Sequence, residues 1–468
     1  MQKRWSTLAF ITALVLTALF VWQLPTILKA MPSRYVARLP EPIQAFGVRE
    51  HVDVLPTAVH SAQAEELLQP LDLPAQMGAE NNERSTAPPT PTPPPTRGPT
   101  GNEPPEDETP EEAGANAPAT STPEAPTPTV TAVPSPTQVP APPTARLTGI
   151  QHKFQTWNNC GPATLAMALS YYDVFRTQDQ TAAVLKPDPE DRNVTPEEMA
   201  SYVRNETEFE ALSRTNGDLA TVRRLLSEGM PVIIELGIDP PGEYAWMEWY
   251  GHYLLLVAYD DQQETIWVYD SWFGTSDVPG ENADDEGREI SYEELDRYWR
   301  HFNRSYIVLY RPEQTELVSE IIGQDMDDEK MWQNAQQVVL AELNEEPENA
   351  FLWFNLGTVY NALQEYERAA SAFDKARSIG LPWRMLWYQF GPYEAYYQTG
   401  RYEDVIVLAD VTLQDRPYFE ESYYYKALAQ IELGEVDDAQ ENLRRAVDFN
   451  PNFQPAAEAL RELEVAER

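Results

Sequence analysis

The spacing of apolar residues divides the chain into stretches with different periods. From Leu8 to Trp22, and more loosely to Leu28, nearly every position is apolar. Over 31–80 apolar residues are scattered, and the one short helical pattern lies near His60–Leu68. Between Asn81 and Arg146 large apolar residues all but vanish. Helical spacing then appears, with Leu165, Ala168, Leu169 and Tyr172 recurring on one face. Further helices are predicted over Pro196–Arg204 and Asp218–Ser227, the second capped by Asn216 or Asp218 and stopped by Gly229. Strand-like runs follow at Pro231–Leu236, His252–Tyr259, Thr265–Tyr269 and Ser305–Tyr310, with Asp260–Gln263 as a tight connection between the second and third. Ser291 and Glu294 form a capping box for a helix running to about His301. Helices first and an antiparallel sheet afterwards predict an α+β domain over 147–311.

From 315 to 468 the pattern repeats. Ala335, Ala369, Val405 and Ala439 are 34, 36 and 34 residues apart, and Pro347, Pro382, Pro417 and Pro451 track them at 35, 35 and 34. The clearest unit carries Trp353, Leu356, Gly357, Tyr360, Ala369, Phe373 and Ala376. This resembles the tetratricopeptide repeat, a two-helix unit of that period, and implies an all-α solenoid of three to four units. The Arg384–Pro417 unit departs from the pattern, with Glu394 at an aromatic position and Val405 at a small one, and the first unit is convincing only in its second half. Trp383, Trp387, Tyr396 and Tyr397 either line a peptide-binding groove or pack between helices.

Composition explains the remaining stretches. Residues 81–146 hold 19 of the 41 prolines and no Phe, Trp or Tyr, so they bury no core and form a disordered linker. The apolar run within 1–30 follows Lys3 and Arg4, as in a signal anchor (a transmembrane helix) or a cleaved signal peptide. Either places the folded domains outside the cytoplasm, membrane-anchored or secreted; residues 31–80 read as weakly structured. A formal net charge of −41 argues against nucleic acid as a partner.

Cys160 is the sole cysteine of 468 residues. It follows a polar loop, Gln155–Asn159, and precedes Gly161-Pro162, which open a helix. A helix N-terminus favours thiolate over thiol, and its free N–H groups stabilise an oxyanion. An exported lone thiol is therefore read as a nucleophile rather than a buried apolar residue or half of an intermolecular disulfide. Its base is sought among five histidines. His51 and His60 lie in the weakly structured region; His152 is a secondary candidate, and His301 reads as a helix-end residue. His252 heads an apolar strand, and antiparallel pairing across Asp260–Gln263 brings it to the sheet edge where the next strand ends at Asp270. Asp270 is the orienting carboxylate, and Gln155 is the candidate oxyanion donor, with Asn158 and Asn159 as alternatives. Trp246, Trp249, Trp272 and Phe273 either wall a cleft or pack in the core, and the acidic 277–289 loop flanks the same region. No zinc-type spacing occurs, so no metal or cofactor is expected.

Gln155…Asn159-Cys160-Gly161-Pro162-Ala163, then Gly251-His252-Tyr253, then Tyr269-Asp270, resembles the papain-like cysteine peptidases that process double-glycine leader peptides of the bacteriocin type, in their stand-alone branch. The resemblance implies a papain-like α+β fold, with Cys160 as nucleophile, His252 as base, Asp270 as orienter and Gln155 in the oxyanion hole. Asn159 stands where transporter-linked members often carry an acidic residue, and their glutamine often lies one position further upstream. The expected function is an exported, membrane-anchored cysteine peptidase hydrolysing peptide bonds, with repeats that recruit a protein substrate or partner. The alternatives are a non-catalytic peptide-binding scaffold and a transglutaminase- or amidase-like acyl transferase.

Overall fold

The structure, a computed structural model, describes residues 54–58, 140–239, 248–275 and 286–466. The expected membrane or signal helix of 1–30, the helix near His60–Leu68, Trp246 and nearly all of the linker lie outside the described residues. Among those described, no helix is long and apolar enough to cross a membrane.

The first folded region consists of β1 (Thr144–Arg146), α1 (Cys160–Ser170), α2 (Gln178–Leu185), α3 (Pro196–Glu206), β2 (Glu210–Arg214), α4 (Leu219–Ser227), β3 (Val232–Ile238), β4 (Tyr250–Asp260), β5 (Thr265–Asp270), β6 (Arg288–Ser291), α5 (Tyr292–Trp299), β7 (Tyr306–Tyr310) and α6 (Thr315–Ile322). The strands form one antiparallel sheet in the order β2-β7-β3-β4-β5-β6, with β1 also pairing β4. Both faces are covered. Leu165, Met167, Leu169, Met199 and Val203 from α1 and α3 pack on Ile233, Leu255, Val257 and Ile307. Val222, Leu225, Trp299, Val318 and Ile321 from α4, α5 and α6 pack on Val232, Leu254, Leu256 and Val308. This double cover explains why the central strands are continuously apolar rather than alternating.

Several details differ from expectation. α1 is buried from Gly161 to Ser170, not along one face, because α2, α3 and the sheet enclose it; Ala163, Ala166 and Ala168 make that close approach feasible. β1 lies where the linker was expected to run to Arg146, since Thr144–Arg146 adds to the side of β4. The first domain runs past 311: α6 turns Val318, Ile321 and Ile322 into its core. α2, with a Thr177–Gln180 capping box, and the short β2 were not anticipated as separate elements.

The second region continues with α7 (Asp328–Glu345), α8 (Ala350–Ala362), α9 (Tyr366–Ile379), a 3₁₀ turn (Trp383–Trp387), α10 (Gly391–Gln398), α11 (Tyr402–Asp415), α12 (Glu420–Leu433), α13 (Val436–Phe449) and α14 (Gln454–Ala466). α8/α9, α10/α11 and α12/α13 are the repeated pairs, preceded by the single α7 and followed by α14. The small repeat positions have a steric cause: a Cβ at Gly357 would come within 2.7 Å of the Phe373 ring. The 31–80 stretch, read as weakly structured, contributes an ordered piece. Val54 bridges Pro382, Leu55 is buried in the repeat core, and Arg377 Nε donates to the Pro56 carbonyl.

The two regions share a joint. Trp249 and Phe302 pack with Phe351 and Tyr388, and the His301 ring stacks on Phe351 at 3.7 Å. His301 does lie at the helix end, in the 3₁₀ turn Arg300–Phe302, and its buried ring accepts a hydrogen bond from Trp249 Nε1 at 3.2 Å. Burial, with Arg300 and Arg297 nearby, pushes its pKa down to about 3.

Candidate active site

α1 delivers Cys160 to the sheet edge as its first residue. Asn158, with φ 57°, turns the chain into the helix. The N-cap residue Asn159 makes no side-chain cap; its Nδ2 donates to Thr156 Oγ1 at 2.8 Å instead. The first N–H groups of α1 are thus left without a capping side chain, and that of Gly161 helps to lower the pKa of the Cys160 thiol. Cys160 is half-buried.

His252 comes from the start of β4 and Asp270 from the end of β5. Asp270 pairs across the ladder with Leu254, two residues from His252 and therefore on the same face. His252 Nε2 meets Asp270 Oδ1 at 2.9 Å, both side chains being almost fully buried. With Nε2 so engaged, Nδ1 is the ring nitrogen left for the thiol of Cys160, and the two groups shift each other's pKa.

The charges support one another. Burial pushes the Cys160 thiol up, but its hydrogen bond to His252, the charges of His252 and Lys186, and the Gly161 N–H outweigh this and bring it below the ordinary thiol value. Burial opposes protonation of His252, yet the charge and hydrogen bond of Asp270, then the contact with Cys160, raise its pKa to about 9. Asp270 is opposed by burial but held well below the usual carboxylate range by His252 and Arg288. The balance favours a thiolate–imidazolium pair.

Sequence reasoning did not single out Arg288 or Glu235. Arg288 Nη2 donates to Asp270 Oδ2 at 2.9 Å, and the N–H groups of Trp272 and Phe273 donate to Asp270 Oδ1 at 2.8 and 3.0 Å. Nothing local in the sequence marked Arg288, because the loop before β6 intervenes. Glu235 on β3 is buried opposite Tyr253; burial first, then the charge of Cys160, raise its pKa well above normal.

The other expected residues are placed as follows. Gln155 Oε1 accepts from Ser271 Oγ at 2.8 Å and its backbone N–H donates to the Ser271 carbonyl, so it is tied to the end of β5. That leaves the amide nitrogen as its donor end. Asn158, rather than Gln155, lines the cavity beside Cys160. His152 Nε2 donates to the Asp270 carbonyl at 2.7 Å. Trp249 is core, whereas Trp272 and Phe273 serve Asp270 through their backbone. Of the acidic loop, only its end near β6 is described. His51 and His60 lie outside the described residues. Among the described residues no cluster of His, Cys, Asp or Glu is arranged to hold a metal ion.

The cavity beside Cys160 is small, about 10 Å³, room for a single water. Gly161, Arg192, Val194, Glu235, Gly251 and Tyr253 wall it, and Tyr388 from the helical region completes it.

Residues 142–307 match a family model described as "Peptidase_C39 like family", and residues 352–379 and 420–453 match the tetratricopeptide repeat. No curated protein matches the chain. Similar solved structures include a putative C39-like peptidase from Bacillus anthracis, 14% identical, covering 36% of this chain and 98% of that one at a TM-score of 0.28. A double glycine motif protease from an AMS/PCAT transporter, in complex with the leader peptide, is 18% identical, covering 37% and 99% at 0.25. MamA 41-end from Desulfovibrio magneticus RS-1 is 18% identical, covering 29% and 76% at 0.27. The chain therefore carries a C39-peptidase-like domain at 142–307, followed by tetratricopeptide repeats within 352–453.

Proposed function

We propose that the protein is a cysteine peptidase that hydrolyses peptide bonds through Cys160, His252 and Asp270. The observation that carries this reading is the line from an uncapped helix N-terminus, through a thiol that His252 brings below its ordinary pKa, to an imidazole hydrogen-bonded to a buried carboxylate. The Cys160 thiolate attacks the scissile carbonyl carbon and forms a C–S bond. The carbonyl π electrons move to oxygen, where the Cys160 backbone N–H and the Gln155 amide nitrogen stabilise the anion. The tetrahedral species collapses, the C–N bond breaks, and the His252 imidazolium gives its proton to the leaving amine. Water then attacks the thioester while His252 takes one of its protons. Collapse releases the acid product and the thiolate, and His252 is again imidazolium. Asp270 holds the ring throughout and stabilises its charge.

The repeats recruit a protein substrate or partner in this reading. The apolar Leu8–Trp22 run behind Lys3 and Arg4 supports export, with the folded regions tethered outside the cytoplasm or secreted. The test is digestion of a mixed peptide library by the full chain, read by mass spectrometry. New termini are expected with the wild type and none with Cys160→Ala or His252→Ala, whose far-ultraviolet dichroism should be unchanged. Equal cleavage by His252→Ala overturns the proposed mechanism.

A further inference from the structure

The Arg384–Pro417 repeat breaks its own pattern, and the structure gives a reason. Where the other pairs begin with a full helix, this one opens with the 3₁₀ turn Trp383–Trp387, and α10 is cut to Gly391–Gln398. The turn and Tyr388 point at the cleft of the preceding domain rather than serving only the solenoid. Tyr388 lines the cavity beside Cys160 and lies over Gly251, where a Cβ would come within 3.1 Å of its ring. The adjacent Trp387 stacks on Arg192, whose guanidinium is 4.6 Å from that ring and 5.1 Å from Trp157 in the loop leading to Cys160. Asn193 Nδ2 donates to Glu421 Oε1 at 3.0 Å, and Arg384 Nη1 to the Trp249 carbonyl at 3.1 Å.

We infer that the helical array is a built-in cover for the Cys160 cleft, with Tyr388 and Trp387 occupying the side on which a peptide must lie. This deepens, and rests on, the cysteine-peptidase reading above. Two independent features carry it. The space left beside the sulfur holds one water, whereas a substrate backbone and its flanking side chains need far more. The closed joint is also imperfect: Trp157 Nε1, Tyr250 Oη and Trp387 Nε1 are buried there without a hydrogen-bond partner among the described residues. Such groups disfavour the docked state and regain water when the array lifts. The contact at the cleft is polar and strained in this sense, while the apolar joint at Trp249, Phe302 and Phe351 continues to hold the two regions together. The cover therefore opens at the side of Trp387, Arg192 and Asn193, next to Tyr388, which also borders the apolar joint through Trp249 and Phe302.

Two electrophiles of different size test this on the full chain. Iodoacetamide is small enough to need only a slight opening at the partly exposed Cys160; a peptidyl epoxide requires the whole cleft to open. The rate of epoxide labelling, relative to iodoacetamide, is expected to rise at least tenfold in Tyr388→Ala and severalfold in Asn193→Ala, which removes only the bond to Glu421. Tyr388→Phe should stay near the wild type, and cleavage of a peptide library should follow the epoxide order. Epoxide labelling of the wild type as fast as of both Tyr388→Ala and Asn193→Ala overturns the cover. An iodoacetamide rate unchanged by His252→Ala overturns the peptidase reading instead.

Discussion

Asp270 faces Leu254 across the β4–β5 ladder, yet its carboxylate reaches two residues along to His252, at 2.9 Å. The diagonal reach is possible because both side chains project from one face at the end of the sheet, where Trp272 and Phe273 turn their N–H groups onto the same carboxylate. Asp270→Asn keeps the shape but removes the charge that holds imidazolium. Turnover is expected to fall by about two to four orders of magnitude, with little change in KM. Steady-state kinetics on a peptide substrate, with dichroism as the folding control, checks this.

The pH dependence follows from the same pair. Cys160 ionises below the ordinary thiol value, and His252 holds its proton to about 9. The reactive ion pair therefore spans the interval between them. An ordinary thiol loses about tenfold in thiolate per unit below pH ~8.5; Cys160 should lose far less between pH 8 and 6.5, and His252→Ala should restore the ordinary slope. Peptidase turnover should decline as pH passes about 9 and the imidazolium that protonates the leaving amine is lost. The stability sign agrees. A raised histidine pKa contributes stability that is full below pH 6.5 and lost as pH rises through about 9. Melting temperatures measured from pH 6 to 10 should therefore fall more in the wild type than in Asp270→Asn.

Arg288 supports Asp270 from the oxygen that His252 does not use, at 2.9 Å. Removing it leaves Oδ2 of a fully buried carboxylate without a charged partner. Arg288→Gln is expected to cost about 1–3 kcal/mol in stability and to reduce turnover by roughly tenfold without abolishing it. Because Arg288 acts through Asp270, the pH optimum should move as well. Arg288→Lys, which keeps a point charge but not the planar fork, should restore part of the rate. A variant that loses stability while keeping the wild-type pH profile would reduce Arg288 to a packing role.

What could be read from the sequence is what the backbone itself encodes. A Gly-Pro pair placed Cys160 at a helix start, and a four-residue connection between two apolar strands brought His252 to the edge where β5 ends. The tetratricopeptide period was visible because each unit repeats the same steric demand, as Gly357 does beneath Phe373. Contacts made by irregular segments left no such trace. β2 is five residues long, pairs with β7 and packs against α3. The stacking of His301 on Phe351 joins residues that no periodicity links. Arg288 reaches Asp270 from beyond a loop. The α2 capping box, Thr177 with Gln180, is by contrast a local signal. The divergent repeat was visible as a departure from pattern, but its cause lies in another domain.

Glu421 is the weak point of the joint between the two regions. Its Oε1 accepts from Asn193, but its Oε2 is buried with no partner among the described residues. Burial, then the neighbouring Glu420 and Asp191, push its carboxyl well above the usual range. Asp191 is itself raised, by burial and then Glu420, although Lys186 opposes the shift. The sign is fixed by the protons held. An acid with a raised pKa binds its proton more tightly when docked, so stability falls as pH rises above its ordinary value of about 4.3. Glu421→Gln removes that loss. The variant should melt about 2–4 °C higher at pH 7.5, from on the order of 1 kcal/mol, and should match the wild type near pH 4. Tightening this joint should also slow peptidyl-epoxide labelling of Cys160 while leaving iodoacetamide unaffected. That combination links a carboxyl in the repeats to access at a thiol in the other domain, and calorimetry paired with the two labelling rates measures it.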